Sequence, residues 1–119
     1  MNLSQGLHRF HVGDRLSEMT VYNGTIYLAG QVASDASQDI RGQTAQVLAM
    51  VDKLLAEAGS DNAHILMCQI FLADMADFAG MNVAWEKWVV PGQTPARATI
   101  EAKLANPAYK VEIMCVAAL

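Results

Sequence analysis

The stretch MTVYNGTIYLAGQV, Met19 to Val32, holds two β-rich runs joined at Asn23-Gly24. That dipeptide favours a two-residue turn with positive φ at both central positions, whose twist matches that of paired strands. A hairpin near the start excludes an all-helical fold, and the later segments must extend or cover its sheet.

Periodicity then alternates in type. Between Asp39 and Ala58, the apolar residues Val47, Leu48, Val51, Leu54, Leu55 and Ala58 recur at helical spacing, with Gln46, Asp52, Lys53 and Glu57 between them. This predicts an amphipathic helix, capped by Ser37 or Asp35 and ended at Gly59. The run HILMCQIFLAD is apolar over a strand's length, as expected of a strand buried on both faces; periodicity alone also allows a buried helix, and the flanking punctuation favours strand. Asp74 is placed to cap a second helix with an apolar stripe of Phe78, Met81, Trp85 and Trp88, closed by Pro91-Gly92, and the tryptophans read as core. RATIEAKL alternates strictly, Arg97, Thr99, Glu101 and Lys103 against Ala98, Ile100, Ala102 and Leu104, and KVEIMCVAA supplies a last strand. The order ββ-α-β-α-ββ, with a further strand before the hairpin left open, gives an α+β fold. Right-handed crossovers put both helices on one face of a mixed sheet and leave the other face uncovered.

A chain of 119 residues is read as one domain, 1–119. It buries roughly two thirds of its unfolded surface and needs no disulfide or metal staple. Charged residues make up 17%, below the usual ~25%, while 53% are hydrophobic, so a single small core cannot hide all the apolar surface and an oligomer is expected. The charge of −4 is evenly spread, with no run of Lys or Arg to neutralise phosphates, so no nucleic-acid partner is expected. HILMCQIFLA is about half of the ~20 residues a spanning helix needs, and MNLSQGLHRF lacks a leader's apolar core; a cytoplasmic protein with no membrane partner is expected. Cys68 and Cys115 form no CxxC and read as reduced buried thiols. His8 and His11 would face opposite sides of an extended segment with no third ligand near, so no metal site is expected. His64 reads as a strand-boundary residue.

The blocks GTIYLAGQV, QTAQVL, AEAGS, IFLADMADFAGMN, PARAT and KVEI stand in the order and spacing of the RidA (YjgF-like) imine-deaminase family, which nearly the whole chain resembles. The most specific part is Pro95-Ala96-Arg97, an alternating strand, a brief loop and Val111-Glu112-Ile113. The resemblance implies a chorismate-mutase-like α+β fold and a homotrimer with three sites at subunit interfaces. It also implies hydrolysis of reactive 2-imino or enamine acids to 2-keto acids and ammonia without a cofactor.

A 2-imino acid offers a carboxylate and an electrophilic C=N carbon. A guanidinium meets a carboxylate with two parallel hydrogen bonds and fixes the substrate plane, which suits Arg97. Water over the carbon needs a proton acceptor, which suits Glu112. The resemblance further implies that backbone around Gly30 and Thr99 bonds the ligand and that Asn82 braces the loop shaping the pocket. The plainer alternatives are a salt bridge from Arg97 to Glu101 or another acid, and a solvent-facing strand position for Glu112. If the last two strands formed a simple hairpin about Asn106-Pro107, Arg97 and Glu112 would stand four residues out of register, about 13 Å apart. Either the strands are not neighbours, or the two residues meet across a subunit boundary.

Two departures from the family pattern stand near the ligand: Ala29 replaces the serine of Ser-Gly-Gln, and Leu16 replaces a tyrosine. Their loss makes the pocket more apolar. Three functions are consistent with the chain: an imine deaminase, a non-catalytic trimer of the same fold that binds small carboxylates, and, weakest, a ribonuclease, for which the acidic chain offers no basic groove.

Overall fold

In the computed structural model, which describes residues 2–3 and 5–119, strands and helices alternate as β1 (His8–Val12), β2 (Ser17–Tyr22), β3 (Thr25–Leu28), β4 (Gln31–Val32), α1 (Ile40–Glu57), β5 (Ile65–Leu72), α2 (Phe78–Trp88), β6 (Ala96–Glu101) and β7 (Val111–Ala118). Met1 and Ser4, part of the stretch read for a leader, lie outside the described residues. Asn23 and Gly24 adopt φ of 52° and 77°, the mirror-image turn their sequence favours, and set the β2–β3 register at Tyr22↔Thr25. The strand left open before the hairpin exists as β1, antiparallel to β2.

The seven strands among the described residues form one mixed sheet in the order β1-β2-β3-β7-β5-β6, with the short β4 also pairing β7. β3 and β4 both pair β7, antiparallel, on either side of Ala29-Gly30. β5 runs antiparallel to β7 and parallel to β6. β6 therefore follows β5 through the α2 crossover and does not pair β7, so the last two strands are not neighbours.

Both helices cover one face. Met19, Val21, Ile26, Leu28, Cys68, Ile70, Leu72, Val111, Ile113, Cys115 and Ala117 point to that side and are buried against Val47, Leu48, Val51, Leu54, Leu55, Met81 and Trp85. The opposite face is open. Register places Tyr27, Val116, Met67 and Ala96 in one row across it, and Val32, Glu112, Phe71 and Ile100 in another. Leu66 is 52% exposed and Met67 46%, so β5 is not buried on both faces in the single chain as its apolar run suggested.

Two local expectations change. The N-cap of α1 is Asp39, whose carboxylate accepts the Gly42 N–H at 2.8 Å, while Asp35 and Ser37 bond one another in the turn ahead of it. Asp74 caps a 3₁₀ turn, Met75–Asp77, that leads into α2, and does not cap α2 directly. In the RATIEAKL strand pairing decides the facing that alternation leaves open: Ala96, Ala98 and Ile100 face the open side, and Arg97 and Thr99, beside the core residues Cys68 and Ile70, turn toward the helices. Gly59, with φ of 81°, ends α1 as expected.

Candidate functional site

The residues singled out by sequence fall into two groups. The first lies between the edge strand β6 and α2. Phe78, Asn82 and Trp85 are spaced i, i+4, i+7 and so share one face of α2. Arg97 reaches this face: its Nη1 donates to Asn82 Oδ1 at 2.8 Å, and its Cζ lies 5.1 Å from the centre of a Trp85 ring and 5.8 Å from that of Phe78. The ion pairs among the described residues, His11 with Glu57 and His64 with Asp61, leave Arg97 out. Glu101, the acid proposed as a salt-bridge partner, instead accepts the Met75 N–H at 3.0 Å. A guanidinium with one N–H committed and both ring contacts on its flanks keeps further N–H groups for a carboxylate. Two residues along the same side of β6, Thr99 Oγ1 is buried and lacks a hydrogen-bond partner. Asn82 belongs to α2, and the partner it engages there is Arg97.

The second group surrounds the break between β3 and β4. Glu112 is opposite Val32 on β7, and a side-chain carbon at Gly30 would overlap its carboxylate, so only the missing Cβ of Gly30 leaves room for it. The Ala29-Gly30 backbone is held by Glu18 and Gln31. Ala29 N–H donates to the Glu18 carbonyl at 2.9 Å, and Gln31 Nε2 donates to the Ala29 carbonyl at 3.0 Å and to Glu18 Oε2 at 2.9 Å. Leu16, 55% exposed, lies on the β1–β2 connection, and a cleft of ≈470 Å³ lined by Glu18, Gly30, Gln31, Lys53 and Glu57 adjoins this group. In the four strands β3, β7, β5 and β6, Glu112 is the one charged residue on the open face.

The histidines and cysteines are engaged elsewhere. His8 bonds the Gln5 carbonyl, His11 the Glu57 carboxylate at 2.6 Å, and His64 Asp61 at the turn entering β5. The two histidines of H-x-x-H thus have separate partners. Cys68 and Cys115 are opposite each other in the core, free thiols with sulfurs 2.8 Å apart, and the Cys115 thiol is pushed well up by its bond to Cys68 and by burial. Gln43, fully buried, donates to the Ala36, Gln38 and Ala108 carbonyls and accepts from Lys110 N–H, tying the start of α1 to the loop before β7.

Sequence reasoning missed the rings beside Arg97. Phe78 reads as part of the apolar stripe and Trp85 as core, and Trp85 is only 6% exposed, yet both lie against the guanidinium. Their shared spacing with Asn82 was the available signal.

The sequence profile of the family described as Endoribonuclease L-PSP matches residues 7–119. A RutC family protein of Haemophilus ducreyi is 51% identical over 111 residues, covering 93% of this chain and 95% of its own. A more distant relative, the chloroplastic Reactive Intermediate Deaminase A of Arabidopsis thaliana, is 30% identical over 88% of this chain and 56% of its own. Among solved structures, a member of the YjgF protein family from Neisseria meningitidis superposes with a TM-score of 0.93 at 45% identity, covering 97% of this chain and 96% of the other. With this profile, these relatives and this fold, the chain belongs to the YjgF/RidA family.

Proposed function

We propose that the protein hydrolyses reactive 2-imino or enamine acids to 2-keto acids and ammonia, at sites formed where subunits of a homotrimer meet. The observation that carries the reading is Arg97: a fixed guanidinium without an acidic partner among the described residues, with Thr99 Oγ1 unpaired beside it. The name of the Arabidopsis relative supports the same chemistry.

In this mechanism Arg97 of one subunit binds the substrate carboxylate through two parallel N–H bonds and fixes the plane of the C=N group. Glu112 of another subunit accepts a proton from water as the oxygen attacks the imine carbon. The carbinolamine formed from the protonated imine takes that proton on nitrogen, the C–N bond breaks, and the hydroxyl proton passes through Glu112 to the departing ammonia as the carbonyl forms. The open apolar face supplies the assembly, since covering it removes Met67, Ile100 and Met114 from water and leaves Glu112 in a dry setting.

A second reading, a trimer that binds small carboxylates without turnover, is favoured by Leu16 and Ala29, which lack the hydroxyls of the family pattern. The ribonuclease activity named in the family description is disfavoured by the net charge of −4. Generating imines in place with an amino-acid oxidase and following ammonia release decides between the first two. The deaminase reading expects acceleration by the parent protein and a loss of about 10²–10⁴ in Glu112→Gln, with 2-ketobutyrate still bound. In Arg97→Ala, 2-ketobutyrate binding should itself weaken by about ten- to a hundredfold. Binding without any acceleration in the parent supports the second reading.

A further inference from the structure

We infer that Trp85 and Phe78 are positioning residues that hold the Arg97 guanidinium as a fixed fork, so that recognition of the substrate's carboxylate depends on these two rings. The inference rests on the reading of Arg97 as the carboxylate anchor.

The geometry is specific. The two rings stand two helical turns apart on α2, with Asn82 between them, and Arg97 enters from the edge strand beneath. Trp85 lies 5.1 Å from Cζ and is buried, while Phe78 lies 5.8 Å away and is 39% exposed. One ring thus belongs to the core, and the other stands at the rim. Both distances are within cation–π range, and the attraction strengthens where water is excluded. Arginine has four side-chain torsions to immobilise before a bidentate bond can form. Asn82 restrains one nitrogen only, so without the rings the guanidinium plane still swings about that single bond. The backing is indifferent to what the fork grips, but a wandering fork loses the parallel pair of bonds only a carboxylate can accept.

The test compares binding of 2-ketobutyrate with that of its amide, 2-ketobutyramide, in Trp85→Leu, Phe78→Leu and Trp85→Phe, each first shown by sedimentation to assemble as the parent does. The expected result is a fall in the acid-over-amide preference of about three- to thirtyfold in both leucine variants, with amide affinity held and the preference restored in Trp85→Phe. Equal losses for acid and amide would assign the rings to packing alone, and an unchanged preference would remove them from recognition; either overturns the inference. Phe78→Leu keeps the test open if Trp85→Leu fails to fold. A parent that does not distinguish acid from amide refutes Arg97 as anchor instead. In that case the clamp is read by ¹⁵N NMR of the Arg97 Nε–H, whose hindered rotation in the parent should be lost in Phe78→Leu; an unaltered resonance overturns the clamp itself.

Discussion

Arg97 and Glu112 lie on opposite faces of the same sheet, with β5 between their strands. Arg97 shares a row with Cys68 and Cys115, and Glu112 shares a row with Phe71 and Ile100, three residues further along. Two strand spacings and three residues amount to about 14 Å between their backbones, before the side chains diverge. One chain cannot bring both groups to one substrate of a few atoms. A site using both is therefore made from two copies.

Such a site can be rebuilt from two defective proteins. In a 1:1 reassembled mixture of Arg97→Ala and Glu112→Gln, each interface draws its arginine and its carboxylate from different chains, so about one site in four is intact by random pairing. Deaminase activity should rise from near zero in each variant to about a quarter of the parent's, measured by ammonia release after joint denaturation and refolding. A mixture as inactive as its components would place both groups on one subunit.

The open face is the surface expected to join the copies. Met114 is in its middle and 41% exposed in the single chain. Met114→Lys would place an unpaired ammonium in the covered interface, at a cost of several kcal/mol. Sedimentation should show a trimer for the parent at micromolar concentration and a 12.9 kDa monomer for the variant. A variant that stays trimeric would direct assembly to another surface.

The thiol pair gives a pH-dependent signature. Cys68 and Cys115 are 0% and 1% exposed, and the hydrogen bond shared with Cys68, then burial, push the Cys115 thiol up. A thiol whose native pKa is raised adds stability that is complete below the unfolded value of about 8.5 and is lost as pH rises beyond it. The melting temperature should therefore fall above that pH, with a shallower fall in Cys115→Ala. A thiol-labelling reagent should react at the rate of unfolding and no faster.

Element types and sequence order were legible because period-2 and period-3.6 patterns are imposed by the backbone itself: Asn23-Gly24, the α1 stripe and the β7 run each appear where their local signals put them. Which side of β6 meets the helices was not legible. Alternation shows that Arg97 and Ala98 face opposite ways, but which face meets the helices depends on pairing with β5, a non-local fact. The same holds for the site. Arg97 and Glu112 could be named from residue chemistry and family resemblance, whereas their separation by β5, and the rings of Phe78 and Trp85 beside the guanidinium, depend on how α2 lies over β6.

Gly30→Ala tests how closely Glu112 is fitted to the β3–β4 break. A methyl group there collides with the far end of a flexible side chain, which can rotate away, so the fold should lose little. The carboxylate, however, must leave its position, and a misplaced base of this kind costs on the order of 10²-fold. The expected result is a melting temperature within a few degrees of the parent with turnover reduced about a hundredfold and 2-ketobutyrate binding largely kept. Unchanged turnover would mean that this rotamer of Glu112 does not act on the substrate.

Leu16 and Ala29 should set substrate scope. The Leu16 side chain is exposed, and only its carbonyl is engaged, by the Gly13 N–H at 2.8 Å, so a tyrosine can occupy the position without disturbing the loop. Ala29 is tied through its backbone alone, to Glu18 and Gln31, so a serine hydroxyl there would be free to bond a ligand beside Gly30. At these two positions the chain offers apolar contact and no hydroxyl, which in the proposed site would favour imines with apolar side chains: each added methylene buried against them would contribute about 0.8 kcal/mol. The double variant Leu16→Tyr, Ala29→Ser restores two hydrogen-bonding groups, each contributing about 1 kcal/mol to a substrate that can use it. The ratio of keto-acid release from the leucine-derived imine to that from 2-aminoacrylate should then fall by about tenfold or more relative to the parent. A ratio that does not move would remove both positions from substrate selection and place the control of scope on the Phe78 side of the site.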